Sequence, residues 1–307
     1  MTAVSTGPRL RAPAGATDAH VHFYGPYDRF PLATTSPGGP PPALVADYGR
    51  LQARLGLERV VVVQPAGYAA DNRRTMAAVA EIGDAARAVV VVDAEAPEDE
   101  LRALAEGGAV GLRVFMLEGG IYRFAQVPEL AAKVRPFGWH LQLQLDGRLL
   151  PEHEATLGPL RDRLVIDHTG KFLEPVPVGH PAFRCLRRLV DGGAYVKLSA
   201  PYETSRTGPP LFDDVGALAQ GAGPPGAGAD ALGQQLAPPG PGPRAGRGDA
   251  ARPSPRLGAG RAEPTADPGR QSGAALRVRH GRASRPVRAE GTFLPQRLLP
   301  VRAGYAM

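Results

Sequence analysis

The chain has 307 residues, 43% of them hydrophobic, one cysteine and a formal charge of +6, which suits one large α/β barrel or two small domains with a substantial core. Lone Cys185 excludes an internal disulfide and fits a reducing cytoplasm. There is no run of about eighteen apolar residues and no apolar leader, so neither a membrane helix nor a signal peptide is expected.

Residues 1–14 read as a flexible N-terminus. The first strand-like run, 17–23 (TDAHVHF), carries His20 and His22 two apart, so both project from one face. A long Pro/Gly loop, 25–47, follows it and belongs at the mouth of a site. Further runs at 60–66 (VVVVQPA) and 88–93 (AVVVVD) bracket a helical pattern at 71–85, and a helix at 97–107 leads to 110–116 (VGLRVFM), which holds Arg113. In 140–146 (HLQLQLD), His140, Gln142, Gln144 and Asp146 alternate. The run 164–168 (LVIDH) ends on His168, a helix covers 181–191, and 194–199 (AYVKLS) contains Lys197 and Ser199, with Tyr202 and Arg206 beyond. A last helix is expected near 212–220.

Seven strand-like runs interleaved with helices predict parallel β/α units, and the continuous valine runs predict strands buried on both faces. The fold class is α/β: a (β/α)8 TIM barrel that is incomplete, with seven units over residues 15–219 and strand eight missing. In such a barrel the chemistry sits at the C-terminal ends of the strands.

Burying two imidazoles side by side on an apolar strand is costly unless partners or a metal satisfy them. With His168 at another strand end, His20, His22 and His168 are the candidate catalytic residues, and the candidate ligands if a metal is bound. Arg113 cannot shed its charge, so it needs an anion: an internal salt bridge or a substrate carboxylate. His140 and His153 read as hydrogen-bonded core residues, His180 as a loop or cap residue, and Asp146 as either a turn former or a site residue.

At "TDAHVHFYGP", "VVVVQPAGYAADN", "GLRVFM", "HLQLQLDGR", "VIDHTGK" and "YVKLSAPYE" the chain resembles the amidohydrolase superfamily, and more closely its 2-pyrone-4,6-dicarboxylate lactonase branch. The resemblance covers roughly residues 15–220. It implies that His20, His22 and His168 surround a scissile carbonyl and that Arg113 grips a substrate carboxylate. It further implies substrate-binding positions at Gln144 and, by a looser match, at Tyr202 and Arg206. The branch implies either no cofactor or one divalent metal, zinc; Gln144, standing where binuclear relatives place a His or carboxylated Lys, argues against two metals. Ala66-Gly67-Tyr68-Ala69-Ala70 lacks the Ser and Thr of the lactonase loop, and Met116–Gly120 lacks its second arginine, so a lactone other than the pyrone dicarboxylate is expected. The implied activity is hydrolysis of a lactone or related acyl bond in a small carboxylated substrate. A metal-dependent decarboxylase of the same superfamily and a catalytically inactive truncated product are the alternatives.

From about residue 220 the periodic pattern gives way to Gly, Pro, Ala and Arg. Residues 221–307 hold 13 Arg, no Lys and 5 acidic residues, a local +8 that leaves −2 for the rest. Such a tail attracts nucleic acid electrostatically, but it lacks the interleaved aromatic residues of stacking segments, so no nucleic-acid or membrane partner is expected. The family continues after unit seven with a helix and a strand ending W-G-[ST]-[DN]-W-P-H. Back-translated with GC-rich codons and read one base later, Leu232 to Pro239 becomes W-G-S-N-W-P-H-P. The same shift turns "QGAGPPGAGADA" into R-A-L-V-R-R-A-P-A-R-T-R and "ADPGRQSGAALRV" into P-T-L-V-D-N-P-A-R-L-Y-G-F. Residues after about Ala219 therefore read as a frameshifted translation, disordered over 220–307, which leaves the edges of strands one and seven unpaired.

Overall fold

The structure is a computed structural model that describes residues 12–33 and 40–222, and the backbone of Ala275 and Leu276. Seven parallel strands form one sheet: β1 (Thr17–Val21), β2 (Arg59–Val63), β3 (Ala86–Val90), β4 (Ala109–Phe115), β5 (His140–Gln144), β6 (Leu164–Ile166) and β7 (Tyr195–Val196). A helix follows each: α1 (Val45–Leu55), α2 (Arg73–Ile82), α3 (Glu98–Glu106), α4 (Val127–Val134), α5 (Leu150–Leu157), α6 (Pro181–Asp191) and α7 (Asp213–Ala222). The result is seven consecutive β/α units with sequential neighbours adjacent in the sheet.

The residues explain the layers. Val60, Val62, Val63, Val89 and Val90 are all buried, as strands covered on both faces require. Along β5 and the residue after it, Leu141, Leu143 and Leu145 pack into the apolar core, while the alternating Gln142 and Gln144 hydrogen-bond with Arg113 of β4 and with Asp167 and Lys197, the residues directly after β6 and β7. Helix α6 starts with Pro181 at its first position, and the His180 ring caps it by accepting from the Ala182 N–H. Its Ala182, Phe183, Cys185, Leu186 and Leu189 are buried; each large apolar side chain so covered contributes about 1.5–3 kcal/mol. Gly56, in the left-handed conformation, ends α1.

The sheet curls without closing through strands. Lys197, one residue past β7, donates through Nζ to the Ala19 carbonyl of β1 at 2.8 Å, so the first and last parallel strands face each other across the seam. Among the described residues β7 has a strand partner on one side only. The expected bare edge of β1 is corrected: a two-residue strand, β8 (Ala275–Leu276), runs antiparallel to it, pairing Thr17 with Leu276 and Asp18 with Ala275. An edge with free N–H and C=O groups pairs with whatever extended chain reaches it. Helix α7 runs to Ala222, past the boundary expected at 219, with Leu218, Ala219 and Ala222 buried. The expected disorder of the remaining tail, and that of residues 1–11, lies outside the described residues. No described helix is long and apolar enough to cross a membrane.

Candidate active site

Strand β1 delivers His20 to the interior of the curl. His22, just past its end, donates from Nδ1 to the Val63 carbonyl at 2.7 Å, which turns its Nε2 toward His20 Nε2, 3.2 Å away. His168 sits one residue beyond Asp167 at the end of β6; its ring centroid is 4.7 Å from that of His20, and its Nδ1 is 2.9 Å from Ser199 Oγ. His20 is therefore in contact with both other imidazoles, His22 beside it and His168 from β6. Burial holds all three neutral. It pushes His22 and His168 down to about 3, with the Arg113 charge adding to the effect at His22, and it places His20 well below the usual histidine range.

His168 owes its position to an unusual backbone. His168, Thr169, Gly170 and Lys171 all have positive φ, between 48° and 88°. Such a run is disfavoured for side-chain-bearing residues, most of all for β-branched Thr169. Hydrogen bonds hold it from both sides: the Thr169 N–H donates to the Lys197 carbonyl at 2.7 Å, and the Gly147 N–H donates to the Lys171 carbonyl at 3.2 Å. Lys171 leaves the turn with its ammonium paired to Glu203; burial lowers it to about 8.

Arg113, 3% exposed on β4, donates through one terminal nitrogen to the Gln64 carbonyl at 2.7 Å and through the other to Gln144 Oε1 at 2.6 Å. Its Nε has no partner, and among the described residues the guanidinium forms no ion pair. A cavity of about 20 Å³ beside it is lined by Gln64, Phe115, Gly119, Ile121 and Tyr122. Next to the imidazoles lies a second polar cluster. Gln142 Nε2 donates to Asp167 Oδ2 at 3.0 Å, while its Oε1 accepts from Lys197 Nζ at 2.6 Å. Burial alone would raise the Asp167 carboxyl; the Lys197 ammonium 3.8 Å away favours its charged form, and the group lies well below the usual range. Desolvation lowers Lys197 to about 8.

His20, His22, His168, Arg113 and Gln144 thus converge as the sequence places them. Tyr202 and Arg206 stand at the exposed rim instead: Tyr202 is 44% exposed, and the Arg206 guanidinium pairs with Glu174 at 3.1 Å. The turn at 205–207 is anchored on Asp214, which accepts from Ser205 Oγ and the Arg206 N–H. His153 stacks on Phe124, and Asp146 accepts from the Arg148 N–H as a turn former and pairs with the Arg148 guanidinium. Sequence reasoning left Asp167, Gln142 and Lys197 without a role, and Tyr24 unmentioned. Tyr24 continues the alternation of His20 and His22, and its ring lies 6.4 Å from that of His22; that period-two spacing was the available signal.

A metal has donors of suitable spacing here. His20, Asp167 and His168 each offer one ligand atom within 4.8 Å of the others. The charges do not fit. The Lys197 ammonium lies 3.4 Å from His20 Nδ1 and 3.8 Å from Asp167 Oδ1, and Arg113 is a further buried cation. A divalent ion would join two buried positive groups around one carboxylate.

The sequence model of the amidohydrolase family matches residues 17–221. Among characterised proteins, the D-galactarolactone isomerase of Agrobacterium fabrum is 36% identical over 218 residues, spanning 70% of this chain and 74% of that protein. The 2-pyrone-4,6-dicarboxylate hydrolase of Comamonas testosteroni is 31% identical over 207 residues, spanning 66% and 68%. An apo crystal structure of an Agrobacterium tumefaciens protein superposes with a TM-score of 0.64 at 35% identity, covering 70% of this chain and 78% of that one.

Proposed function

Because the chain belongs to the amidohydrolase family, we propose that it is a hydrolase acting on a lactone or related acyl bond of a small carboxylated substrate. The observation that carries this reading is Arg113: a buried guanidinium without an ion pair among the described residues, beside three neutral imidazoles. A substrate carboxylate supplies the missing anion, and a charge-assisted bond of this kind contributes about 1.5–3 kcal/mol. Gln144, already hydrogen-bonded to Arg113, fixes the guanidinium plane. His168 polarises the carbonyl and stabilises the oxyanion that forms when water adds, with the hydrogen-bonded His20–His22 pair completing the catalytic set beside it. The ring then opens to a hydroxy acid, with one water consumed and no redox change.

A second reading is favoured by the 36% identity to a lactone isomerase. In it a hydroxyl of the same substrate, rather than water, attacks the carbonyl. Turnover in 18O-labelled water separates the two. Hydrolysis places the label in the product carboxylate, isomerisation gives an unlabelled lactone, and failure to turn over any carboxylated lactone in a panel overturns both.

We propose also that the chain works on a small molecule in the reducing cytoplasm, without nucleic-acid or membrane partners. Residues after about 219 we read as translated from a neighbouring frame. Support comes from three family-like segments recovered in order by one shift, and a gene that does not encode W-G-S-N-W-P-H-P in the adjacent frame refutes it.

A further inference from the structure

We infer that Lys197 is a positioning residue that fixes the proton of His20 on Nε2 and thereby closes the His20–His22 pair to divalent cations. The starting point is His22. Its Nδ1 lies 2.7 Å from the Val63 carbonyl, which can only accept, so Nδ1 carries the proton and the neutral ring has a bare Nε2. That bare nitrogen faces His20 Nε2 at 3.2 Å. Two lone pairs cannot share that separation, so His20 Nε2 supplies the hydrogen. On the other side of the ring two donors, Lys197 Nζ at 3.4 Å and Gln142 Nε2 at 3.5 Å, face His20 Nδ1, which is therefore the acceptor.

The surroundings of His20 Nδ1 decide whether that arrangement holds. Lys197 Nζ is 3.4 Å away, Gln142 Nε2 3.5 Å, and Asp167 Oδ1 3.5 Å. The first two are donors; Asp167 Oδ1 is an acceptor with no hydrogen-bond partner. Lys197 is 6% exposed and held in place by the Ala19 carbonyl at 2.8 Å and Gln142 Oε1 at 2.6 Å, which leaves its third N–H for His20. Because Gln142 Oε1 faces Lys197, its Nε2 must face Asp167 and His20. The amide orientation and the ammonium thus act together. Hydrogen bonds run one way, from Lys197 to His20, His22 and the Val63 carbonyl.

A cation bound between the two Nε2 atoms needs both bare. The His20 proton would have to move to Nδ1 and point at Asp167 Oδ1, and the Lys197 N–H would lose its acceptor while its charge faced the incoming ion. Removing the ammonium frees that rearrangement, since a carboxylate behind a ligand histidine is the usual support of a bound metal. This holds whichever acyl bond the site cleaves.

The test uses the full chain with its histidines 15N-labelled, and the variants Lys197→Met, Lys197→Arg and, as a control for loss of a buried ammonium elsewhere, Lys171→Met. Long-range 1H–15N spectra read the ring tautomers directly, and titration with Co2+ and Zn2+ reads affinity. The expected result is His20 protonated on Nε2 in the parent and in Lys197→Arg, and on Nδ1 in Lys197→Met. Lys197→Met should also bind Co2+ about 10- to 100-fold more tightly than the parent, the size of effect usual for groups behind metal ligands, while Lys171→Met does not. A parent spectrum with His20 protonated on Nδ1 overturns the inference, even if Lys197→Met does not fold. So does an unchanged tautomer and affinity in a folded Lys197→Met. An inactive parent with the Nε2 proton in place would instead sink the proposed reaction alone.

Discussion

Gly111 of β4 and His140 of β5 occupy one register position, and the imidazole lies where a side chain at 111 would begin: a Cβ there would stand 2.5 Å from His140 Cε1. Nε2 and Nδ1 of the same ring would stand 2.6 and 2.9 Å away, so the whole imidazole, not a single tip atom, has to move. Gly111→Ala should destabilise the chain by about 1–3 kcal/mol through overpacking. Urea unfolding of Gly111→Ala, His140→Ala and the double variant checks this. The double variant should recover part of the loss, and strict additivity would show that the two positions do not meet.

Arg113→Met should raise KM for carboxylated lactones by roughly 10- to 100-fold, the equivalent of one charge-assisted bond. Neutral lactones should be nearly unaffected. Steady-state kinetics on a matched pair of substrates decides it, and equal effects on both would remove the carboxylate from the reading of this residue.

Replacing His168 with Gln should lower kcat by about 10²–10⁴, the usual range for a group that handles protons or developing charge. KM should change little, because the carboxylate clamp is on another strand. Ser199→Ala, which removes the hydroxyl 2.9 Å from His168 Nδ1, should give a smaller loss in the same direction.

Acid should unfold the chain early. The unfolded histidines take up protons near 6.5, whereas burial holds His22 and His168 at about 3 and His140 at about 4, so stability is lost as pH falls from 6.5 toward 4. Asp18 works in the opposite sense. Burial raises it from 3.8 to about 7, so it costs stability as pH rises through that window. Several imidazoles outweigh one carboxyl, and unfolding measured from pH 8 to pH 4 should show a net loss. Asp18→Asn should steepen that loss and stabilise the chain at pH 8 by up to roughly 4 kcal/mol.

The strands were legible because burial on both faces leaves runs such as Val60–Val63 that fit little else. The H-x-H pair and Arg113 stood out because their polarity contradicts those runs. What was not legible depends on curvature. Alternation along β5 says that Gln142 points inward, but not that Lys197 crosses the seam to Ala19 and His20, 178 and 177 positions away. Only the curl of the sheet brings those groups together. The seventh strand read as 194–199, yet its ladder is just Tyr195–Val196; Ala200, at φ 50°, turns the chain away soon after. The pairing of β1 with Ala275–Leu276 likewise had no local signal, since neither residue favours a strand by composition.

Arg113 and Lys197 are both buried cations of the site's interior, and only Lys197 has a carboxylate, Asp167, at hand. Opening a lactone creates one carboxylate more than the substrate had. Under the proposed reaction the enzyme therefore holds what it has made more firmly than what it started from. The hydroxy acid is then expected to compete with the lactone for the site, and inhibition of turnover by added product measures how strongly.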